Sequence, residues 1–449
     1  MTEQRAPQLY CKEPKHNAFL SDRFVEGECP RCAYPDARGD QCDSCGHLLD
    51  TLDLKNPRCK IDGTTPTRKK ASHIFFELDK LQNEVETFVR EAIDAGQWSR
   101  SSEDINLACL KEGLKAMNIT RDLQWGTPVP LPNYESKILY PWFDACIGYV
   151  SITADYTDQW EKWWRNPEHV QLYQFLGKDN VVFHSIIFPA TQIGTGEIWT
   201  KVHHLSATDY LTYEGEKFSK SRGVGVFGDS AQATGIESDV WRFFLLRRRP
   251  ENGDTEFNWE SFIDDNNNEL VDNVGNFVHR VLEFVRSEYN GTVPDGSQYH
   301  DVSLRDFQND IDQLLSRYNG ELESVRLRSG IAIVLSISKR GSRFLDTINS
   351  NPSNDGPTKC AAVISLAVNL VRLLAAVIAP YMPDTAMRIN RQLGVDANEQ
   401  RIPDRWSPDS IKIGHKLGEP VHLFWAINAE KAHEWRREFG SKCNVDIST

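Results

Sequence analysis

The spacing of apolar residues predicts a helical region in the second half of the chain. Apolar residues recur at helical intervals over residues 241–247, 262–285, 306–327, 329–347 and 361–374. Helices in such close succession favour a bundle from about residue 231 to about residue 395, with a loop at 349–357. The remaining tail, residues 396–449, contains an amphipathic stretch at 429–439 and the apolar pair Phe424 and Trp425, which we expect to dock on the bundle.

Shorter apolar runs dominate the first half of the chain. Residues 72–95 have helical spacing and predict an amphipathic helix after a short strand, so residues 1–120 are interpreted as α+β. Between residues 121 and 230, apolar runs at 138–143, 181–188 and 202–205 alternate with helical stretches. Such runs are typical of parallel strands that are buried on both faces. The chain is therefore predicted to combine an α/β region with an all-α region.

Composition places the chain among globular proteins. It has 449 residues, of which 40% are hydrophobic and 26% are charged, enough for two or three domains. We find no run of about twenty apolar residues and no targeting pattern at the start, and therefore expect a cytoplasmic protein with no membrane partner. The net charge of -13 argues against nonspecific coating of nucleic acid, although a local basic strip can still bind RNA.

Cysteines are concentrated between residues 29 and 59. Two CxxC pairs, separated by nine residues, supply the thiols of Cys29, Cys32, Cys42 and Cys45. Four thiolates with this spacing suit a tetrahedral structural zinc site, which can hold together a segment too small to fold by itself. The alternative is four reduced cysteines whose spacing is accidental.

A second, weaker cluster flanks these pairs. Its possible metal ligands are Cys11, His16, Cys59 and Asp62. Their spacing is irregular, and Asp62 stands where a further CxxC pair would place sulfur, so its harder oxygen fits zinc less well. The sequence leaves the occupancy of this second site open.

The segment KFSKSRG at 217–223 concentrates cationic and hydroxyl side chains. Its ammonium groups could neutralise the charge that develops between the phosphates of ATP. The candidate ATP ligands are Lys217, Ser219, Lys220 and Ser221. For so short a motif, a solvated basic turn is the alternative.

Three residues predict a small apolar cleft. Trp142, Ala145 and Tyr149 lie at positions i, i+3 and i+7, and they share one face if Asp144 opens a helix. Two aromatic rings beside a small residue could hold an unbranched side chain. The alternative is that both rings are ordinary core aromatics.

A second predicted helix supplies a polar side of the same cleft. Asn180 and His184 are four residues apart and follow GKD at 177–179, where a loop is predicted to leave a strand. The ends of parallel strands are where α/β proteins bind ligands. A histidine with an internal partner is the alternative interpretation.

Together these segments resemble class I aminoacyl-tRNA synthetases, and in particular the methionyl-tRNA synthetases of the eukaryotic cytosolic kind. The resemblance runs along almost the whole chain. It rests on the ordered motifs DRFVEG (22–27), ITRD (119–122), WGTP (125–128), WFDA (142–145), IGY (147–149), GKD (177–179) and KFSKSRG (217–223).

The resemblance implies a fold and an activity. A zinc-bearing insertion, residues 1–120, would interrupt a Rossmann fold, of which residues 121–230 form the second half, and the helical bundle would read the CAU anticodon. The enzyme would activate methionine with ATP and Mg²⁺ and transfer it to methionine tRNA. A thioether packs well against aromatic rings, which agrees with the predicted cleft.

The resemblance also assigns site residues. The implied methionine-binding residues are Trp142, Ala145, Tyr149, Asn180 and His184. The implied catalytic residues are Lys217, Lys220 and Arg121, and the implied anticodon-binding pair is Asn276 and Arg280. Phe218 takes the place of a methionine in the ATP loop and keeps an apolar anchor there.

One part of the family pattern has no match in this sequence. Family members begin their Rossmann fold with a His-x-Gly-His or His-x-Gly-Asn signature that binds ATP phosphates, and this sequence contains neither. We therefore expect a fragment or an incomplete gene model, and the activity of the chain alone is left open.

Three functions follow as hypotheses. The first is a methionine-tRNA ligase, and the second is a catalytically incomplete remnant that only binds tRNA and zinc. A zinc module serving only as an interaction platform is the third. Membership of a multi-synthetase complex is left open by the sequence.

Overall fold

The structure of the protein is a computed structural model. It consists of two units, Met1–Thr208 and Asp209–Thr449. It describes residues 1–14, 17–20, 24–39, 42, 49–123, 125–218, 223–348, 356–397 and 401–440. The sequence placed a boundary near residue 230, whereas the structural division falls between residues 208 and 209. Lys217 and Phe218, with which the KFSKSRG segment begins, therefore belong to the second unit.

The first unit combines short sheets with helices. Its strands are β1 (Thr2–Cys11), β2 (Ala18–Phe19), β3 (Val25–Glu28), β4 (Ala37–Arg38), β5 (Lys55–Cys59), β6 (Thr67–Phe76), β7 (Met117–Asn118), β8 (Thr120–Arg121), β9 (Ile138–Leu139), β10 (Leu172–Gly177) and β11 (Val202–Thr208). Its α-helices are α1 (Gln82–Gly96), α2 (Arg100–Glu112), α3 (Pro141–Asp144), α4 (Ile147–Tyr156), α5 (Glu161–Trp164) and α6 (Phe188–Gly194). Short 3₁₀ turns lie at Leu78–Leu81 and Lys178–Asn180, and a π-helical turn lies at Phe183–Ile187.

Antiparallel pairing organises the N-terminal part of this unit. β1 and β6, ten residues each, pair along nearly their whole length in a sheet of order β2-β1-β6-β7. A second antiparallel sheet has the order β4-β3-β5. The small core associated with it contains Leu9, Cys11, Leu20, Val25, Cys29, Ala37, Cys42, Leu54 and Cys59. Cysteines therefore form almost half of the core residues that the structure describes here.

A parallel pair supports the helices of the first unit. β10 and β11 pair in parallel, and β11 is buried over most of its length. The end of α1 approaches β11 closely, since the Gly96 carbonyl accepts a hydrogen bond of 2.7 Å from His204 Nδ1. A Cβ atom at Gly96 would lie 1.7 Å from the carbonyl oxygen of His203, so only glycine permits this approach.

The secondary-structure predictions for this unit are partly correct. Residues 202–205 belong to the parallel strand β11, as predicted. The run at 138–143 forms only the two-residue strand β9, which pairs antiparallel with β8. The run at 181–188 is helical, and the helix predicted from residue 72 begins at Gln82, because residues 67–76 extend β6. A buried apolar run has no periodicity that separates a strand from a helix.

The second unit is largely helical. Its strands are β12 (Leu211–Tyr213), β13 (Glu216–Lys217) and β14 (Thr255–Phe257), in the order β13-β12-β14. Its helices are α7 (Gly228–Ala233), α8 (Ser238–Arg247), α9 (Trp259–Asp264), a π-helical segment (Asp265–Gly275), α10 (Asn276–Tyr289), α11 (Val302–Glu323), α12 (Leu327–Asp346), α13 (Gly356–Ile378), α14 (Pro383–Leu393) and α15 (Glu430–Phe439). The helices predicted from apolar spacing correspond to the elements from α8 to α13.

Helix α13 supplies much of the core of the second unit. By length and composition it could span a membrane, with a mean hydropathy of 2.3 in its most apolar window. However, 89% of that window is buried within the protein, as is typical of the core helix of a helical bundle. The sequence predicted a helix at 361–374 but showed no uninterrupted run of about twenty apolar residues, because Asn369 and Arg372 lie within it.

A buried asparagine in α13 connects the bundle with the tail. Asn369 is 1% exposed. Its Oδ1 accepts hydrogen bonds from the Ser410 hydroxyl (2.8 Å) and the Ile411 N–H (2.7 Å), while its Nδ2 donates to the carbonyl of Ser365 (2.9 Å). The indole N–H of Trp406 donates to the Asn369 backbone carbonyl at 3.2 Å. A polar residue in an apolar helix is thus satisfied by the tail.

The tail also packs on α9 through aromatic rings. Trp435 and Phe439 of α15 lie 4.7 and 5.9 Å from the ring of Trp259. The predicted docking of Phe424 and Trp425 is correct for the first residue and wrong for the second, since Phe424 is 5% exposed and Trp425 is 69% exposed. The backbone there is non-helical, so the two neighbouring side chains point in different directions.

The packing of α12 predicts a sharp response to one methyl group. A Cβ atom at Gly341 would lie 2.4 Å from Phe277 Cζ and 2.7 Å from Leu370 Cδ2, both in the core. We expect Gly341→Ala to lower the free energy of unfolding of the helical unit by about 1–3 kcal/mol, measured by chemical denaturation. Gly320→Ala is the control, because that position in α11 is exposed and a Cβ there meets nothing within 4 Å. An equal effect of both changes would contradict the predicted overpacking.

Candidate functional site

Aromatic rings in the first unit bring together three residues of the predicted cleft. The ring of Trp142, in α3, stacks on Phe183 with a centroid distance of 4.7 Å and an interplanar angle of 16°. His184 follows Phe183 in the π-helical turn, and its Nε2 lies 2.9 Å from the hydroxyl of Tyr149 in α4. π-Helical turns are rare and occur frequently at functional sites. The turn thus contacts both helices of the predicted cleft.

Hydrogen bonding determines the protonation state of His184. Its Nδ1 lies 2.8 Å from the backbone carbonyl of Asn180, which can only accept, so Nδ1 carries the proton. Nε2 then accepts the hydrogen bond from the Tyr149 hydroxyl. Burial lowers the pKa of His184 and raises the pKa of Tyr149, so both side chains are neutral near pH 7. A neutral His184 with this tautomer has no ring N–H left to donate to a thioether.

The helix that the sequence predicts around the cleft differs from the structure in its starting residue. Asp144 does not open a helix, because α3 begins at Pro141 and ends at Asp144, and α4 begins at Ile147. Proline at the first helical position explains the early start. Trp142 and Tyr149 consequently come from two short helices, and Ala145 is exposed between them.

Cys146 contributes a second contact between α4 and the π-helical turn. Its thiol donates to the backbone carbonyl of Phe183 at 3.5 Å. Burial raises the pKa of the Cys146 thiol to about 12, so it stays protonated and unreactive.

Arg121 lies on the aromatic residue that leads into α3. Its guanidinium carbon is 3.8 Å from the ring centre of Tyr140, a cation–π contact. Its Nη1 also donates to the carbonyls of Asn118 (3.1 Å) and Thr120 (3.0 Å). These contacts connect the predicted catalytic arginine to the start of the Trp142 helix.

A charged group next to Arg121 was missed by the sequence analysis. The carboxylate of Asp122 forms an ion pair with Lys137 and lies 3.3 Å from Nε2 of the fully buried His73. Burial opposes the charge on Asp122, but these two contacts outweigh it and lower the pKa of the carboxyl. The sequence signal that could have identified Asp122 is the ITRD motif, of which it is the last residue. The ion pair joins the strand that holds Arg121 to the residue before β9.

The predicted ATP loop begins on β13. Lys217 pairs through its backbone with Thr212 of β12, and Phe218 lies 5.4 Å from the ring of Tyr213 and 5.9 Å from that of Phe227. Phe218 is therefore an aromatic anchor at the start of the loop, as the sequence indicated. The other predicted ATP ligands, Ser219, Lys220 and Ser221, lie outside the described residues.

The predicted anticodon-reading pair lies at the start of α10. Asn276 and Arg280 are both exposed and four residues apart, so they share one face of the helix. Arg280 Nη2 lies 2.8 Å from Asp346 Oδ1 at the end of α12. Both groups are at least 40% exposed, so this ion pair contributes little stability and can exchange for another partner.

Three thiols converge in the first CxxC region. The sulfur atoms of Cys29, Cys32 and Cys42 all lie within 4.8 Å of one another, and those of Cys32 and Cys42 are 3.6 Å apart. Thiolates around tetrahedral zinc, at ~2.3 Å each, would be ~3.8 Å apart, so the spacing fits this ion. Burial opposes ionisation of Cys29, but backbone N–H groups of the turn outweigh it and lower its pKa to about 7. Cys45, the fourth predicted ligand, lies outside the described residues.

The second predicted cluster also converges. Cys11, Cys59 and Asp62 have ligand atoms within 4.8 Å of one another, and the Cys11 thiol donates to Asp62 Oδ2 at 3.0 Å. Hydrogen bonds from Cys11 and Thr64 hold the pKa of Asp62 well below its usual range. His16 lies outside the described residues. Internal hydrogen bonding therefore already satisfies part of this ligand set.

The model of the family "tRNA synthetases class I (M)" matches residues 1–282, which is more than half of the chain. The chain belongs to this family. A second model, the anticodon binding domain of methionyl tRNA ligase, matches residues 293–444, which include most of the helical bundle. The predicted fold class, an α/β synthetase domain followed by a helical anticodon-binding domain, is confirmed.

Curated relatives extend the match to almost the entire chain. A probable cytoplasmic methionine–tRNA ligase of Schizosaccharomyces pombe is 50% identical over 439 residues, covering 96% of this chain and 56% of the relative. The cytoplasmic methionine–tRNA ligase of Saccharomyces cerevisiae is 48% identical, with 98% and 58% coverage, and the human one is 43% identical, with 94% and 47%. The chain thus spans about half the length of the relatives it matches.

Solved structures agree with the fold. The methionyl-tRNA synthetase of Mycobacterium tuberculosis in complex with methionyl-adenylate is 20% identical, with a TM-score of 0.71 and coverage of 94% of this chain and 77% of that one. The free form of the same enzyme gives a TM-score of 0.70 at 18% identity. At this level of identity, the likeness concerns the fold alone.

The burial of His184 predicts a pH dependence of stability. Because its pKa is lowered on folding, the unfolded chain binds a proton more readily as the pH falls below about 6.5, so the folded state loses stability on the acid side and keeps it above that value. The quantity to compare is the unfolding free energy of the wild type minus that of His184→Asn. We expect this difference to decrease as the pH is lowered from about 8 to about 5. The measurement is chemical denaturation across this range.

His169→Asn is the matched control substitution, because it makes the same change at an exposed position of the first unit. A wild-type minus His184→Asn difference that is constant, or that grows toward acid, would contradict the buried neutral imidazole.

Proposed function

We propose that the chain is the part of a methionine–tRNA ligase that holds the methionine side chain and reads the anticodon. The complete reaction would join methionine to ATP as methionyl-adenylate, releasing pyrophosphate, and then transfer methionine to the terminal ribose of its tRNA, releasing AMP. The observation that carries this proposal is the Trp142–Phe183 stack beside the Tyr149–His184 hydrogen bond, in a chain of this family.

The cleft residues would divide the recognition of methionine among them. Stacked Trp142 offers an aromatic surface for the polarisable thioether, and Ala145 leaves room beside it. Asn180 orients the imidazole of His184, and His184 in turn holds the Tyr149 hydroxyl, whose lone pairs remain available as acceptors. The pocket would thus recognise an unbranched apolar side chain by shape.

The cationic residues would serve the ATP step. Arg121 and the lysines Lys217 and Lys220 would stabilise the negative charge that develops on the phosphates, with Ser219, Ser221 and Mg²⁺ completing the phosphate contacts. The Asp122–Lys137 ion pair would hold the Arg121 strand in place. Asn276 and Arg280 would bind the edges of anticodon bases.

The thiols of Cys29, Cys32, Cys42 and Cys45 would hold a structural zinc ion, which stabilises a segment whose own core is small. Cytoplasmic location is part of the proposal, because the relatives are named cytoplasmic enzymes. Membership of a multi-synthetase complex and the filling of the second cluster are left open, as in the sequence analysis.

The zinc proposal predicts a metal content of about one equivalent per chain. We expect Cys42→Ser to lose this metal and to lower the thermal stability of the first unit, measured by elemental analysis and calorimetry. Cys109→Ser is the control, because this thiol in α2 lies outside both clusters. Retention of zinc in Cys42→Ser would contradict the assignment, and a second equivalent lost in Cys59→Ser would show that the second cluster is filled.

The ligase proposal is tested by amino-acid-dependent exchange of labelled pyrophosphate into ATP. Exchange with methionine alone among the twenty amino acids is expected, with a KM for methionine raised about tenfold or more in Trp142→Ala. Trp163→Ala is the matched control, because Trp163 is 58% exposed and lies outside the cleft.

Direct binding of methionine, measured by calorimetry, separates the pocket from the chemistry. Binding without exchange would support the pocket and favour the remnant hypothesis, provided that the chain still binds methionine tRNA. If a folded chain binds neither methionine nor methionine tRNA, the proposed function is overturned.

A further inference from the structure

An exposed aromatic cluster lies beside the predicted anticodon-reading pair. The rings of His279 and His422 stack with centroids 4.1 Å apart and an interplanar angle of 28°, and the ring of Trp425 lies 5.6 Å from His422. Trp425 is 69% exposed although its neighbour Phe424 is buried. A large aromatic ring left in water is a candidate contact for a ligand.

Two asparagines, the buried Asn266 and the half-buried Asn267, hold the backbone that carries Trp425. Asn266 Nδ2 donates to the Trp425 carbonyl at 3.0 Å. Asn267 exchanges two hydrogen bonds with the backbone of Ile427, both of 2.9 Å. With Phe424 in the core on the other side, the Trp425 ring is presented by a rigid segment, so that little backbone ordering would be needed when a ligand binds.

The cluster lies next to the start of α10. Gly275 precedes Asn276, and a Cβ atom there would lie 3.3 Å from the ring of Phe424, so the segment of Trp425 runs beside this point of the helix. His279 stands three residues after Asn276 and immediately before Arg280, and it stacks on His422 of the same segment. An amide, a guanidinium group and three aromatic rings therefore occupy one region of the second unit.

We propose that Trp425, together with the stacked pair His279 and His422, forms a platform on which an unpaired base of the tRNA anticodon loop stacks. This inference rests on the proposed tRNA binding of the bundle. Single-stranded RNA is recognised by stacking of splayed bases on aromatic side chains, while amide and guanidinium groups bind base edges. Asn276 and Arg280 are the groups of that second kind.

The charges around the cluster indicate that it would contribute to RNA binding by stacking rather than by attraction of phosphates. Arg280 is already paired with Asp346, and the whole chain has a net charge of -13. Stacking of a base on Trp425 does not depend on neutralising phosphates, so it is weakly sensitive to salt, whereas a contact of Arg280 with RNA is salt-dependent. Salt dependence therefore separates the two roles.

The test measures binding of the full chain to an RNA hairpin whose loop carries CAU. Trp425→Leu removes the aromatic face and is expected to weaken binding about tenfold or more, by nearly the same factor at low and high salt. Trp425→Phe should retain most of the affinity. Ile413→Ala is the control, because Ile413 is also exposed in the tail, at 54%.

A fluorescent base analogue, 2-aminopurine, at each loop position in turn identifies the stacked base. Its quenching on binding should be lost at one position in Trp425→Leu and retained in Arg280→Ala. Unchanged affinity and quenching in Trp425→Leu, while Arg280→Ala weakens binding, would overturn the platform and leave the proposed function standing. A wild-type chain that binds methionine but not the hairpin would overturn the platform together with the proposed anticodon reading.

Discussion

The hydrogen bond between the His184 ring and the Asn180 carbonyl determines the chemistry of the candidate cleft. A carbonyl can only accept, so this single contact places the proton on Nδ1 and leaves Nε2 as an acceptor for Tyr149. The orientation of the phenol and the neutrality of the imidazole follow from it. Trp142 is held on the same turn through Phe183, so both walls of the cleft depend on the geometry of one π-helical segment.

Part of this site was predictable from the sequence. The four-residue spacing of Asn180 and His184 indicated a helix that places them together, and the structure has them in direct contact. The π-helical turn was not predictable, because residues 181–188 are apolar except for His184 and Ser185, and a run that is buried almost throughout has no exposed face to reveal its period. The separation of Trp142 and Tyr149 onto two helices was missed for a different reason: Pro141 sets the start of α3, before Asp144.

Metal chemistry and folding are expected to be coupled in the N-terminal part. Within the described part of the chain, the core associated with the β4-β3-β5 sheet contains nine residues, four of them cysteines, and such a core buries little apolar surface. The helical bundle shows the opposite balance, with α13 buried along most of its length. The sequence predicted the cysteine-rich segment and the helical bundle, because cysteine spacing and helical periodicity are local patterns. It could not predict that Trp425 stays in water, because side-chain direction in a non-helical tail depends on tertiary contacts.

Asn369 influences which side chains of the tail are exposed on the surface. Its amide nitrogen bonds to Ser365 within α13, but its oxygen accepts from Ser410 and Ile411 of the tail, so this oxygen sets the register of the tail along α13. Asn266 and Asn267 impose the same condition farther along, at Trp425 and Ile427. A chain held at two points by side-chain amides cannot slide by a residue between them. Asparagines of the helical unit thereby decide which tail side chain faces solvent.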